Sequence, residues 1–211
     1  MKKLSLIFIL FSLLLTPTLV FSTTVYNNTT NPLSLNLYTA AGVQIGDEVT
    51  LEGSERLVTE FMFGYGNLNG NGNETAHIRF YLNDGQSGQP GSLLLDLGVY
   101  PLGIVALGDL TIDGLSILIP GDTFTWTVEW GFEGGISPYF PLYNPPTTGS
   151  TKNYLWDKGQ VFPWVTTYEG KGYHLKAQIE AEPFPVPEPG ILILLGLSMI
   201  SIVGVRRWWK E

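Results

Sequence analysis

Residues 123–130 read Thr-Phe-Thr-Trp-Thr-Val-Glu-Trp, with Phe124, Trp126, Val128 and Trp130 on one parity and three threonines and Glu129 on the other. Side chains alternate with period two along a strand, so this segment buries one coherent face as a strand and none as a helix. The same alternation recurs. Ala76, Ile78, Phe80 and Leu82 interleave with His77, Arg79 and Tyr81. Tyr173, Leu175, Ala177, Ile179 and Ala181 interleave with His174, Lys176, Gln178, Glu180 and Glu182. Leu57, Thr59, Phe61, Phe63 and Tyr65 make a further set, and shorter runs fall at 33–39, 93–100, 110–119 and 161–168. Turn formers separate them, at 67–73, 83–85, 89–91 and Pro145-Pro146. No amphipathic helix of useful length and no internal repeat is present. About eight to ten short strands with Gly/Pro punctuation predict an all-β domain, a β-sandwich of jelly-roll type.

Charge narrows the partners. Five of the 11 basic residues sit at the ends (Lys2, Lys3, Arg206, Arg207, Lys210). Between them six basic residues face 18 acids, a formal charge of −12. Such a surface repels phosphate backbones and excludes nucleic acid as a partner. It suits solubility, divalent cations or neutral glycans. With no cysteine, the domain folds on packing alone and has no thiolate ligands.

Both ends read as targeting segments. Met1-Lys2-Lys3 precedes an apolar run at 4–15, then Pro17 and Val20-Phe21-Ser22. Val20 and Ser22 suit the −3 and −1 positions of a signal-peptidase site, which predicts a signal peptide over 1–22, handled by the Sec translocon and cut between Ser22 and Thr23. The alternative is an uncleaved anchor, which the short run disfavours. The predicted ectodomain is 23–182. A Pro-rich linker follows at 183–190, then an uncharged segment at 191–205 and a basic tail at 206–211. As a helix, 191–205 spans about 22 Å, short of a hydrocarbon core of roughly 30 Å. Trp208 and Trp209 lengthen the embedded stretch, and the arginines place the tail in the cytoplasm and the domain outside.

Val186-Pro187-Glu188-Pro189, an apolar helix and Arg206-Arg207 together resemble the PEP-CTERM sorting signal. The resemblance covers about 25 residues. It implies a Gram-negative-type bacterium making an exopolysaccharide, and an exosortase that recognises Pro187, Glu188 and Pro189. It also implies that 191–205 is a transient inner-membrane hold, with Arg206 and Arg207 as the stop signal, and that the protein ends in the envelope or biofilm matrix. The simpler alternative is a single-pass anchor behind a Pro-rich linker. The segments 46–51, 57–61, 78–85, 90–94 and 124–128 are also similar to other ectodomains carrying this tail, a resemblance that brings no enzymatic activity.

Inside the domain the chemistry is sparse. Trp156, Trp164, Tyr139 and Tyr143, with Tyr154, lie in predicted Pro/Gly-rich loops and are the candidate glycan-binding aromatics, since exposed rings stack on sugars. The Asn/Gly segment 67–74 with Glu74, or some of Asp47, Glu48, Glu52 and Asp84, could hold a structural calcium; the plain alternative is a hairpin loop and a solvated acidic face. No other cofactor and no metal-ligand motif is predicted. His77 and His174 both fall on predicted polar strand faces and are expected to be exposed, without zinc-ligand spacing. No G-x-S-x-G and no Cys nucleophile occurs, so the chain reads as non-enzymatic. A carbohydrate-binding module is the alternative, and a carboxylate-based glycan hydrolase a more distant one.

Overall fold

The computed structural model describes residues 21–133, 137–159 and 163–184. The described chain is all-β, with no α-helix among the described residues and one 3-10 turn at Gln86–Gly88. In chain order the strands are β1 (Thr23–Asn27), β2 (Pro32–Tyr38), β3 (Gln44–Thr50), β4 (Leu57–Tyr65), β5 (Thr75–Tyr81), β6 (Leu93–Pro101), β7 (Gly108–Ile112) and β8 (Ile117–Leu118). Then come β9 (Thr123–Gly131), β10 (Tyr139–Tyr143), β11 (Ser150–Thr151), β12 (Leu155–Lys158), β13 (Val165–Thr167), β14 (His174–Leu175) and β15 (Ala177–Glu182).

One sheet runs β1-β15-β4-β7, with β8 on the end of β4. A second runs β13-β12-β3-β9-β5-β6, with β11 beside β3, and a three-stranded sheet runs β14-β10-β2. With β1, β3, β4, β5, β6, β7, β9 and β15 numbered one to eight, the two larger sheets read 1-8-3-6 and 2-7-4-5. They pack face to face through aromatics from β4 and β9. Phe61 meets Trp126 edge-on at 5.1 Å, and Phe63 lies 5.9 Å from Trp126 and 6.1 Å from Trp130. Phe140 of β10 stacks on Trp130 at 4.5 Å, which ties the small sheet to the same core.

The alternation of β9 and β15 becomes burial as expected, since Phe124, Trp126, Val128, Trp130, Ala177, Ile179 and Ala181 are all inaccessible. The expected set on β4 is corrected by a bulge. Ala181 pairs with Val58 and Glu180 with Glu60, leaving Thr59 as the extra residue. One inserted residue switches the face of everything before it, so Val58 rather than Leu57 or Thr59 joins Phe61 and Phe63 inside. The run expected over 110–119 divides into β7 and β8 around Gly114, whose φ is +67°.

The ends of the domain meet. β1 and β15 pair antiparallel, with Thr23 opposite Ala181 and Asn27 opposite Gln178. One pole therefore holds both termini, while Asn27 and the β14 end of the last strand lie at the other.

Candidate functional site

An open polar cleft of about 580 Å³ occupies the pole away from the termini. Its walls are Asn144-Pro145-Pro146, Gly149-Ser150-Thr151, Asn153 and Gly170-Lys171-Gly172, with His174 at its base. Asn153 fixes the 170–172 wall, its Oδ1 accepting from the Gly172 N–H at 2.7 Å and its carbonyl from the Gly170 N–H at 2.9 Å. Gly149 must be glycine. Its φ is +70°, and a Cβ there would meet the Thr50 carbonyl oxygen at 2.5 Å. His174 precedes β15, whose far end at Glu182 lies beside the start of β1, so the cleft sits at the pole opposite the chain ends.

Behind His174 lies Asp47 of β3, fully buried, its Oδ1 3.5 Å from His174 Nδ1. Its other oxygen accepts the Leu175 N–H at 3.1 Å. Burial pushes the Asp47 carboxyl above its ordinary range, with His174 and the Leu175 N–H pulling the other way. Tyr26, also buried, is raised well above the ordinary phenol value, first by burial and then by the charge of Asp47. Asn28 approaches the same strand, its Nδ2 donating to the Leu175 carbonyl at 3.1 Å. Sequence reading placed His174 on a polar exposed face. The structure corrects this, because β14 ends beneath the cleft walls and its outward side chain is covered, leaving His174 3% exposed. His77 is half-buried rather than free, with Nε2 2.7 Å from Asp96 and Nδ1 2.6 Å from Arg79.

Of the expected glycan-binding aromatics, Trp164 and Tyr154 lie outside the strands as expected, while the others are strand-borne. Trp156 lies on β12 and Tyr139 and Tyr143 on β10, and Trp156, Trp164 and Tyr143 are buried. Trp164 packs edge-on against Tyr81 at 5.5 Å, on the outer face of the large sheet. Trp156 Nε1 and the Tyr154 hydroxyl both donate to Glu48, and burial with this carboxylate lifts the Tyr154 phenol to about 12. Tyr139, half-buried, donates its hydroxyl to the Ala106 carbonyl and leans on the exposed Tyr38 ring at 5.2 Å. Pro/Gly-rich flanks disguised β10 and β12 as loops.

The carboxylates offered for calcium are not brought together. Asp47 and Glu48 are consecutive on β3 and face opposite sides, both buried. Glu52 Oε2 accepts the Gly149 N–H at 3.1 Å, and Asp84 holds the Ser92 N–H and hydroxyl at 2.6 and 2.7 Å. Glu74 closes its own loop by accepting the Asn71 N–H at 2.7 Å and the Gly72 N–H at 2.9 Å, contacts led by Asn71 that hold its carboxyl below the ordinary range. Among the described residues no three of His, Cys, Asp and Glu converge as a metal cluster.

At the other pole Ser22 bonds Thr59 at 2.9 Å and Thr23 opens β1. The chain beyond 184, including Pro187, Glu188, Pro189, Arg206 and Arg207, lies outside the described residues, as does the predicted span 191–205. Among the described residues no helix is long and apolar enough to cross a membrane. Comparison with known families finds the PEP-CTERM protein-sorting motif at residues 185–207. The chain carries a PEP-CTERM sorting tail. That tail begins three residues after β15 ends. It supports sorting of the chain through the exosortase pathway as a secreted surface protein, with membrane-anchored transit before processing. No curated protein and no solved structure matches the chain.

Proposed function

We propose that residues 23–182 form a non-enzymatic jelly-roll sandwich displayed on the cell envelope or in the exopolysaccharide matrix, and that the PEP-CTERM tail is a temporary handle for an exosortase. The 1-8-3-6 and 2-7-4-5 strand orders are those of a double Greek key closed as a jelly roll. The carrying observation is the motif at 185–207 set directly behind the last strand. The paired ends support the same reading. A signal peptide over 1–22 and a membrane helix over 191–205 would leave the domain from one pole, so it can fold while held at both ends and be released by two cuts without disturbing a strand. Leu118 and Phe184, exposed near this pole, suit a surface close to lipid.

In that orientation the polar cleft points outward, toward the matrix. Its described walls carry amides, hydroxyls and Lys171 but no carboxylate, chemistry that favours hydrogen bonding to neutral sugar hydroxyls over hydrolysis by paired acids. A carbohydrate-binding role, seated in this cleft instead of on the buried tryptophans, is thus the second reading. The sorting reading is tested by expressing the full chain with and without an exosortase and measuring its intact mass. Loss of the tail from the PEP region only when exosortase is present is expected, and an identical intact C-terminus in both hosts refutes it.

A further inference from the structure

Four buried polar atoms around the base of the cleft have no hydrogen-bond partner among the described residues: Asp47 Oδ1, His174 Nδ1, Asn28 Oδ1 and Tyr26 Oη. Leu175, next in the chain to His174, brings the Asp47 and Asn28 side chains to one place. It gives its N–H to Asp47 and its carbonyl to Asn28. The N–H and C=O of a strand residue project to the same edge, so Asp47 and Asn28 flank one edge of β14. Orphaned buried polar atoms are rare and costly.

The Asp47–His174 spacing is informative. A charge-assisted hydrogen bond would close to about 2.7–2.9 Å, yet Oδ1 and Nδ1 stand 3.5 Å apart. Two ligands on a tetrahedral ion with arms of about 2.0–2.1 Å are separated by roughly 3.3–3.4 Å. We propose that Asp47 Oδ1 and His174 Nδ1 are two ligands of a divalent-cation site of zinc-like chemistry. Asn28 Oδ1 serves as a third, neutral ligand and a water from the cleft completes the shell. One imidazole with carboxylate and amide oxygens, and no thiolate, is a donor set that zinc and its first-row neighbours accept. His174 lines the cleft floor, which gives the ion its route in. The Leu175 N–H on Asp47 Oδ2 leaves Oδ1 for the metal and fixes the carboxylate's orientation. This site does not depend on the sorting reading.

The test is full-length protein in detergent, stripped with EDTA, titrated with ZnCl2 by calorimetry and with CoCl2 by visible absorption. Saturable binding of one ion per chain is expected, with the intense d–d bands of four-coordinate cobalt and a rise in Tm as zinc is added. Asp47→Asn and His174→Gln, checked for folding by circular dichroism, should each weaken binding at least about tenfold. His77→Gln, which alters the separate His77–Asp96–Arg79 cluster, should leave binding unchanged. No saturable binding by the wild-type chain would overturn the site and leave the orphan atoms to hydration. So would binding lost with His77→Gln but kept in both cleft variants.

Discussion

Phe63 joins the three sheets, so its truncation is the sharpest test of how the core is built. It sits on β4, fully buried, 5.9 and 6.1 Å from the Trp126 and Trp130 rings of the large sheet and 6.3 Å from Phe140 of the small one. Phe63→Ala removes a ring whose neighbours are themselves pinned by strand pairing, so the cavity cannot collapse. The expected cost is about 3–5 kcal/mol, a large share of the roughly 5–15 kcal/mol that stabilises a domain. For a chain of this size that is a fall in Tm of about 6–20 °C. The assay is urea unfolding of residues 23–182 followed by tryptophan fluorescence, with Leu118→Ala, at an exposed position on β8, as a control expected within about 0.5 kcal/mol. A Phe63→Ala cost below about 1.5 kcal/mol would refute the claim that β4 and β9 meet through this aromatic layer.

Acid should act through the 67–74 loop. The folded Glu74 carboxyl lies below its unfolded value of about 4.3, so its stabilisation is present above that value and disappears as pH falls through the lower folded one. Glu74→Gln should therefore have a lower Tm than wild type at pH 7, with the gap closing as the pH is lowered; a gap independent of pH contradicts this. Gly149→Ala should cost about 1–3 kcal/mol from its positive φ, with the Thr50 carbonyl clash added, in the same urea assay. An unchanged midpoint would show that Gly149 is not packed against the Thr50 carbonyl of β3.

The sequence was legible wherever one strand face met the core and the other met water. β5, β9 and β15 follow their alternation, and the all-β expectation agrees with the sheets observed. It was illegible where both faces are covered. β3 buries five consecutive residues, Ile45 to Val49: the Trp156 and Trp164 segment covers Glu48 on its outer face, while Asp47 shares the inner face with Ile45 and Val49, so two buried acids read as solvated ones. β10, Tyr-Phe-Pro-Leu-Tyr, shows no alternation and carries Pro141, and for that reason was not expected as a strand. The Asp47–His174 pair had no local signal at all. Its members are 127 positions apart and meet only because β14 packs against the middle of β3. The sorting tail needed no tertiary structure to be read, since its recognition lies in a short contiguous segment.

In the proposed orientation the domain stands on the pole holding both ends, with the cleft at the opposite pole. The chain has no cysteine, so single-site labelling is clean. Full-length protein in vesicles, labelled with a fluorophore through Glu182→Cys or Lys171→Cys, can be exposed to spin-labelled lipid. Strong quenching at 182 and little at 171 is predicted. Equal or stronger quenching at 171 would mean that the cleft faces the membrane, and would contradict the account.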